Sequence, residues 1–385
     1  MISLDLFWWI VLARLTNHGA ARFVLSIFML AMMLGLIGIV AARMSRTGWD
    51  RLFPKFAVSA VFIWHFIGLG LLALIGLALI PILLGQKILS PKPPVKRQLS
   101  AEAAVWSRRD FLRFGAAMLP PVFTFSVTGI ALSQLNGFRV RRFDLPIVDL
   151  PSELNGLTIA QVSDMHVGRF TNGRVLEEVV RTVNGMRADL VLLTGDLIND
   201  ALADLDRGLD LVRAMEARFG LAIIEGNHDL IENPKEFEVR MKASGLRFLL
   251  DESTIIDVNG VPVQLLGLSW TRIYGKERDN AISAAVNKLV LKRDASAFSI
   301  LMAHHPHAFD AAAEAQIPLT LSGHTHGGQL MLNEQLGFGP AMFRYWSGLY
   351  ERGLSKLIVS NGVGNWFPLR LNAPAEIIHL TLRRA

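Results

Sequence analysis

The sequence contains no cysteine, so disulfides, thiolate metal sites and cysteine nucleophiles are all excluded. Acidic residues are scarce over the first 142 residues, which carry 16 Lys and Arg against 4 Asp and Glu. The rest of the chain reverses this balance, with 23 basic and 29 acidic side chains. The net charge of +6 therefore hides a basic N-terminal part and an acidic C-terminal part. The acidic part argues against a nucleic-acid partner.

Charge is also missing from long stretches of the N-terminal part. The run 23–42 has no charged residue, and 56–86 has His65 as its single ionisable group. Each run is long enough to cross a bilayer core, which needs about 20 residues. A third uncharged run, 114–138, contains two adjacent prolines, which weaken it as a straight helix. A mean hydropathy of +0.37 fits a membrane part joined to a globular part.

These runs predict two domains. The first, residues 1–142, is an α-helical transmembrane region with spans at about 23–42, 56–86 and 114–138. The second, residues 143–385, is a globular domain. For His65 we favour packing on a neighbouring helix over a functional role.

Basic residues next to the runs bear on orientation. The stretch "SRRDFLR", Ser107 to Arg113, resembles the twin-arginine export motif, although a basic patch before an ordinary transmembrane helix explains it equally well. With three spans, the N-terminus and the 87–113 loop carry nine Lys and Arg, and the opposite side carries seven. The positive-inside rule and the twin-arginine resemblance both favour a cytoplasmic 87–113 loop. We therefore predict a multi-pass protein of the bacterial cytoplasmic (inner) membrane, with residues 143–385 outside the cytoplasm.

Short apolar runs alternate with amphipathic stretches of helix length from Leu157 onward. This alternation predicts an α/β domain with a mostly parallel sheet core. Five of the runs end in polar tips: "SDMH", "TGD", "GNHD", "AHHPH" and "SGHTH". Sites in such domains form outside the carboxyl ends of the strands. Seven of the ten histidines lie at these tips, which scattered surface histidines would not do.

The tips supply seven nitrogen and oxygen donors, namely Asp164, His166, Asp196, Asn227, one of His304 or His305, His324 and His326. Seven donors are enough for two metal ions that share a carboxylate, about 3.5–4 Å apart. A site without sulfur accepts Mn, Fe, Zn, Co or Ni, and the ligand types do not choose among them.

The ordered blocks D-x-H, GD, GNHD, a strand-end His and GHTH resemble the signature of the calcineurin-like metallophosphoesterases. All five blocks occur in order, and the resemblance covers roughly residues 150–385. The later stretches "GLYERG" and "VSNGVGNWFPLRLN" are similar to the membrane-attached or exported bacterial branch. That branch includes enzymes that cleave UDP-2,3-diacylglucosamine. The resemblance implies a four-layer sandwich of mixed β-sheets flanked by helices.

The resemblance also implies roles for individual residues. One divalent ion would be bound by Asp164, His166 and His326, the other by Asn227, His304 and His324, with Asp196 bridging. His228 would contact phosphate and protonate the leaving oxygen, and Asp229 would orient it. The implied reaction is hydrolysis of a phosphoester or pyrophosphate by a metal-activated hydroxide.

The substrate is less constrained by the sequence. Arg169 and Arg370 are candidates for contacting phosphate, although each could equally be an ordinary loop arginine. A membrane tether suggests a phosphorylated substrate that is lipid-linked or belongs to the cell envelope. Two alternatives stay open. One is a UDP-2,3-diacylglucosamine pyrophosphatase of lipid A synthesis on the cytoplasmic face, and the other is a non-catalytic membrane-anchored metal-binding or sensor protein.

Overall fold

The computed structural model describes residues 1–15, 18–45, 52–89, 107–171, 173–333 and 335–385. These residues form two compact units, Met1–Leu132 and Ser133–Ala385. Most of the basic 87–113 loop lies outside the described residues.

The N-terminal unit is helical. Its helices are α1 (Ile2–Leu15), α2 (Gly19–Ser45), α3 (Lys55–Ile63), α4 (Leu69–Leu89) and α5 (Arg108–Ser133), and a π-helical turn, Trp64–Gly68, joins α3 to α4. Three stretches are long and apolar enough to cross a membrane: Gly19–Ala42, Lys55–Leu79 and Arg108–Ser133. The chain therefore has the apolar helices that the sequence predicted.

The third of these helices differs from its predicted bounds. It begins at Arg108 and ends at Ser133, and it continues without a break through Pro120 and Pro121, which are both buried. The hydroxyl oxygen of Ser107 accepts the backbone N–H of Asp110 at 3.1 Å, which caps the first turn. The "SRRD" stretch thus acts as a helix start in the structure, because a hydroxyl placed there satisfies an otherwise free amide.

A buried polar contact joins α1 to the π-helical turn. The Asp5 carboxylate accepts the indole N–H of Trp64 at 2.7 Å and lies 3.1 Å from Nε2 of His65. The Nδ1 atom of His65 lies 2.6 Å from the Val61 carbonyl oxygen, to which it donates. Asp5 is 0 % exposed and His65 is 3 % exposed. His65 therefore packs on a neighbouring helix, as expected, but through a carboxylate that hydropathy does not reveal.

The C-terminal unit contains eleven strands among its described residues. The first sheet has the order β1 (Phe138–Ile147), β11 (Ala375–Arg384), β2 (Thr158–Val162), β3 (Leu190–Thr194) and β4 (Leu221–Ile224). The second has the order β5 (Glu252–Val258), β6 (Val261–Gly267), β7 (Phe298–Met302), β8 (Leu319–Ser322), β10 (Ser355–Val359) and β9 (Gly348–Arg352). Parallel and antiparallel pairs occur in both, so the sheets are mixed as predicted.

Helices cover the outer face of each sheet. Strand side chains alternate between faces, so Leu190 and Leu192 enter the core between the sheets, whereas Val191 packs against helices. The first sheet is covered by α6 (Gly173–Met186), α7 (Leu205–Arg213) and α8 (Pro234–Ala243). The second is covered by α9 (Arg278–Val290) and α10 (Ala308–Glu314). These four layers are the predicted sandwich.

The boundary between the units lies earlier than the sequence suggested. Residues 138–142, which the sequence grouped with the membrane region, belong to β1, and β1 pairs along its full length with β11. The strand resembles a membrane-proximal basic segment because its outward positions carry arginines. A solvated strand face and a juxtamembrane patch have the same composition.

We expect the Asp5–His65 contact to stabilise the helical unit. His65→Leu leaves a buried carboxylate without its imidazole partner, which should cost about 3–5 kcal/mol, measured as a lower midpoint of thermal unfolding in detergent. The double variant Asp5→Leu/His65→Leu removes both polar groups and should recover most of the loss. Equal losses in the single and double variants would contradict this account.

Candidate metal centre

The predicted donors all follow strands whose carboxyl ends meet at one edge of the sandwich. Asp164 and His166 follow β2, Asp196 follows β3, Asn227 follows β4, His304 follows β7, and His324 and His326 follow β8. Since β2, β3 and β4 are mutually parallel, as are β7 and β8, their tips converge. The structure brings all seven predicted donors together.

The backbone at these tips adopts an uncommon conformation. Twelve non-glycine residues among the described ones have positive φ, and five of them are predicted donors: Asp164, His166, Asp196, His324 and His326. A left-handed conformation costs about 1–2 kcal/mol for such residues, so it persists only where surrounding contacts impose it. Backbone bonds from Asp164 N–H to the Gly195 carbonyl (3.0 Å) and from His166 N–H to the Asp196 carbonyl (3.1 Å) do so here.

Glycines beside the donors permit this close packing. A Cβ atom on Gly323 would overlap the Ser163 hydroxyl and the Asp164 carboxylate, and one on Gly226 would overlap the Asp196 carboxylate. Glycine is therefore required at both positions because no side chain fits. This explains the glycines of "GNHD" and "GHTH" in physical terms.

Three donors form a first group. Nε2 of His326 lies 3.0 Å from Nε2 of His166 and 3.2 Å from Oδ1 of Asp164, and the His166–Asp164 separation is 3.8 Å. Ligands about 2.1 Å from one ion are about 3.0–3.4 Å apart, so these separations suit a cation. Two imidazole nitrogens that face each other and a carboxylate are poorly explained by hydrogen bonding alone.

Asp196 links this group to a second one. Its Oδ2 atom lies 3.6 Å from Nε2 of His166 and 3.1 Å from Nε2 of His304. Nearby, Nδ1 of His324 lies 2.8 Å from Oδ1 of Asn227, and the His304 and His324 rings are 5.2 Å apart. Nε2 of buried His304 makes no well-aligned hydrogen bond among the described residues although Oδ2 of Asp196 is 3.1 Å away, so a cation between the two atoms would satisfy both. The donor set fits divalent metal.

Electrostatics in the metal-free cluster also favour positive charge. Burial lowers the pKa of His304, but the Asp196 and Asp164 carboxylates outweigh it and raise this pKa to about 9. Burial would raise the pKa of Asp164, yet His326 and the other histidines hold it well below its usual value. Burial dominates at His324 and lowers its pKa to about 3. A proton on His304 thus balances the carboxylates, and metal binding would displace it.

The structure changes the role expected of Asp229. This carboxylate accepts the backbone N–H groups of Ile198 (2.9 Å) and Gly226 (2.8 Å), so it shapes the loop that carries Asn227. Burial and the Asp196 carboxylate raise the pKa of Asp229 well above its usual value. The orientation of the His228 ring comes instead from the Asn199 carbonyl, which accepts Nδ1–H at 2.6 Å.

His228 itself lies beside the first group. Its ring centroid is 4.6 Å from that of His166, and burial lowers its pKa. Because Nδ1 donates to Asn199, Nε2 is the nitrogen left for chemistry. One nitrogen of His228 also lies close enough to His166 and Asp196 to join a metal-binding group. A ligand role and an acid–base role are therefore both geometrically open to this side chain.

The two candidate arginines are placed very differently. Arg370 is fully buried, and its guanidinium donates to the carbonyls of Asn361 (3.1 Å), Ala373 (2.8 Å) and Gly364 (2.9 Å). It also lies 3.1 Å from Nδ1 of His326. Arg370 thus holds the loop behind His326, a metal-ligand candidate. It is not available to contact a substrate phosphate, which the sequence analysis had suggested as one of its roles. Arg169 is half-buried, with its guanidinium over the Phe170 ring.

Other residues at the site were missed by the sequence analysis. Trp270 lies 4.9 Å from the His324 ring and 5.5 Å from the His304 ring, and its backbone N–H donates to the buried Glu225 carboxylate. Burial raises the pKa of Glu225 to about 7. Trp270 and Asn199 belong to no motif, so only the fold could bring them to the site.

Comparison with known proteins agrees with this geometry. A family model described as calcineurin-like phosphoesterase matches residues 157–328. This range contains all seven predicted donors: Asp164, His166, Asp196, Asn227, His304, His324 and His326. This part of the chain is therefore similar to the calcineurin-like phosphoesterases.

Relatives extend the similarity. The chain is 29% identical over 244 residues to an uncharacterized metallophosphoesterase, YkuE, of Bacillus subtilis, covering 61% of this chain and 82% of YkuE. It is 31% identical over 229 residues to an uncharacterized metallophosphoesterase of Helicobacter pylori, covering 59% of this chain and 60% of that protein. It is 29% identical over 255 residues to a zebrafish (Danio rerio) "transmembrane protein with metallophosphoesterase domain", covering 63% and 56%. The chain thus spans less than two thirds of the length of the Helicobacter pylori and Danio rerio proteins.

These similarities support a metal-dependent phosphoesterase, which is a hydrolase. The family implies divalent metal, and the His/Asp cluster within residues 157–328 could bind it. The apolar helices and the transmembrane relative together suggest association with a membrane.

We expect Gly323→Ala to weaken metal binding by about 10–100-fold, because the new methyl group displaces Asp164. The measurement is bound divalent metal after dialysis, with the fold checked by circular dichroism. Gly185→Ala in α6 is the matched control, since a Cβ there meets nothing within 4 Å. Metal binding by Gly323→Ala at the wild-type level would exclude the crowding argument.

Proposed function

We propose that this chain is a membrane-anchored phosphoesterase with two divalent metal ions. The observation that carries the proposal is the position of Asp196, whose carboxylate lies between His166 and His304 and so between two groups of donors. One group is Asp164, His166 and His326. The other is Asn227, His304 and His324. A carboxylate shared in this way suits a pair of ions better than a single one.

The chemistry divides between the ions and the chain. When bound, the two ions would polarise the phosphoryl group and activate the attacking water. Asp164 and Asp196 bring the negative charge that holds them, and the left-handed backbone at both residues keeps the carboxylates in place before substrate arrives. Such preorganisation costs no rearrangement during the reaction.

His228 would protonate the leaving oxygen from Nε2. The Asn199 carbonyl fixes the ring by accepting Nδ1–H, so the proton transferred belongs to Nε2. Burial favours the neutral ring in the free protein. An anionic phosphate ester beside the ring would raise the pKa of His228 and load the proton only when substrate is present.

The membrane helices bear on the substrate class. A soluble ester requires no tether, so we propose a phosphorylated substrate that is lipid-linked or part of the cell envelope. We also propose that the N-terminal unit, Met1–Leu132, forms a multi-pass region in the bacterial inner membrane. The unbroken α5 helix supports a third span, which would place the phosphoesterase domain outside the cytoplasm. If α5 does not span, a UDP-2,3-diacylglucosamine pyrophosphatase on the cytoplasmic face becomes the better candidate.

We expect His228→Ala to retain its metal and to lose activity by about 10²–10⁴-fold, as for a lost general acid. The metal-loaded protein would be assayed against p-nitrophenyl phosphate, its diester analogue and UDP-2,3-diacylglucosamine. The panel also reports which type of phosphate bond is cleaved. His305→Ala is a control from the same edge of the sandwich and should keep a substantial fraction of activity. Loss of metal from His228→Ala would make His228 a ligand, and a metal-loaded wild type inactive on every ester would reject the function.

Orientation is tested by reporter fusions at Arg142. An external phosphoesterase domain predicts an active alkaline phosphatase fusion and a dark GFP fusion, because the former folds outside the cytoplasm. Fusions at Ser45 should show the same external pattern. Two spans, Lys55–Leu79 and Arg108–Ser133, lie between Ser45 and Arg142, so both sites are on the same side of the membrane. A fluorescent GFP fusion at Arg142 would place the domain inside.

A further inference from the structure

Exposed apolar side chains cluster at one place on the C-terminal unit. Among its described residues, 13 large apolar side chains are exposed, and four of them fall within eleven residues. The four are Leu332, Leu336, Phe338 and Met342, with exposures of 72%, 57%, 37% and 64%. We name these four residues the apolar loop. Single exposed apolar residues are common, but a cluster marks a surface that meets a partner.

Backbone contacts hold this cluster together. The N–H of Leu332 donates to the Leu336 carbonyl at 2.8 Å, and the N–H of Phe338 donates to the Leu330 carbonyl at 3.0 Å. Met342 ends the short helix α11 (Phe338–Met342). The apolar side chains are therefore presented by a defined turn and helix.

The apolar loop is attached to the residues that follow the third candidate span. The side-chain amide of Asn372 donates to the carbonyls of Met331 and Leu332, both at 3.1 Å. The backbone N–H of the same residue donates to Oε1 of Gln134 at 2.9 Å. Gln134 comes directly after Ser133, where α5 ends. A bilayer crossed by α5 would therefore begin within a few residues of the segment that carries the loop.

The same segment reaches the candidate metal centre. The Phe343 ring, next to Met342, lies 5.8 Å from the His324 ring. The backbone of Gly339 packs so closely on Gly328 that a Cβ on Gly328 would overlap it. The segment 331–343 is thus bonded near Leu332 to Asn372, which contacts Gln134 just after α5, and it lies near Phe343 beside the metal-ligand candidate His324.

We propose that the apolar loop inserts into the surface of the bilayer that the chain's own helices cross, and that it guides a substrate's acyl chains toward the metal centre. The occupant is membrane lipid, because the four side chains are apolar and exposed and the segment that carries them is hydrogen-bonded to Asn372, which in turn bonds Gln134 just after the span. The inference rests on the proposed membrane attachment. Insertion at the interface fits apolar side chains carried on a short turn, which cannot cross the membrane.

The absence of cysteine makes a direct test possible. A single cysteine at Leu336 can be labelled with the polarity-sensitive dye NBD in the full chain, reconstituted into vesicles of phosphatidylethanolamine and phosphatidylglycerol. We expect blue-shifted emission and strong quenching by spin-labelled phosphatidylcholine added to the vesicles. The matched control is Leu291→Cys at the end of α9, an exposed leucine outside the loop, whose dye should emit as in water.

Two outcomes would overturn the proposal. A dye at Leu336 that behaves as in water would exclude insertion. A blue shift that grows with protein density and is unaffected by the spin-labelled lipid would assign the surface to a second copy of the chain. Leu332→Cys is the second labelling site if Leu336→Cys does not fold. Since the dye reports lipid contact whether or not any ester is cleaved, failure here is distinct from failure of the phosphoesterase assay.

Discussion

The candidate metal centre depends on the contact between the His324 backbone and the Asp164 carboxylate. The His324 backbone N–H donates to both oxygens of the Asp164 carboxylate, at 3.2 Å to Oδ1 and 3.1 Å to Oδ2. A residue that follows a strand of the second sheet is thereby bonded to one that follows a strand of the first. Asp164 follows β2 and His324 follows β8, which makes this contact a junction between the sheets. The left-handed conformations at both residues are what allow the two loops to approach, and the other donors are arranged around this junction.

The charges of the site follow from the same burial. Two buried carboxylates must be compensated, and here a proton on His304 contributes to this until metal displaces it. Arg370 extends the compensation behind His326, although its donors are spent mainly on carbonyls. The buried guanidinium of Arg370 therefore holds the loop in place. The charge that balances the carboxylates themselves can be a proton or a metal ion.

Motif spacing was enough to predict that the seven candidate donors lie together, because side chains at the ends of parallel strands occur in the sequence as short blocks. The four-layer sandwich followed from strand–helix alternation together with the resemblance. The roles of Asp229 and Arg370 could not be obtained in that way, since an acid in a motif and an arginine in a loop look the same whether they face substrate or backbone. Asn199 acts through its carbonyl oxygen, which every residue possesses, and so leaves no trace in the sequence. The Asp5–His65 contact was likewise hidden, because its partners are 60 residues apart.

The position of β11 has a consequence for how the protein is made. This strand, at residues 375–384, lies between β1 and β2 in the interior of the first sheet. The sheet therefore cannot close around β2 until residues 375–384 have been synthesised. Until then β2, with Asp164 and His166 behind it, has an open edge that could pair with another nascent chain. Completion of the first sheet thus waits for a strand that the chain supplies after every metal-ligand candidate has been synthesised.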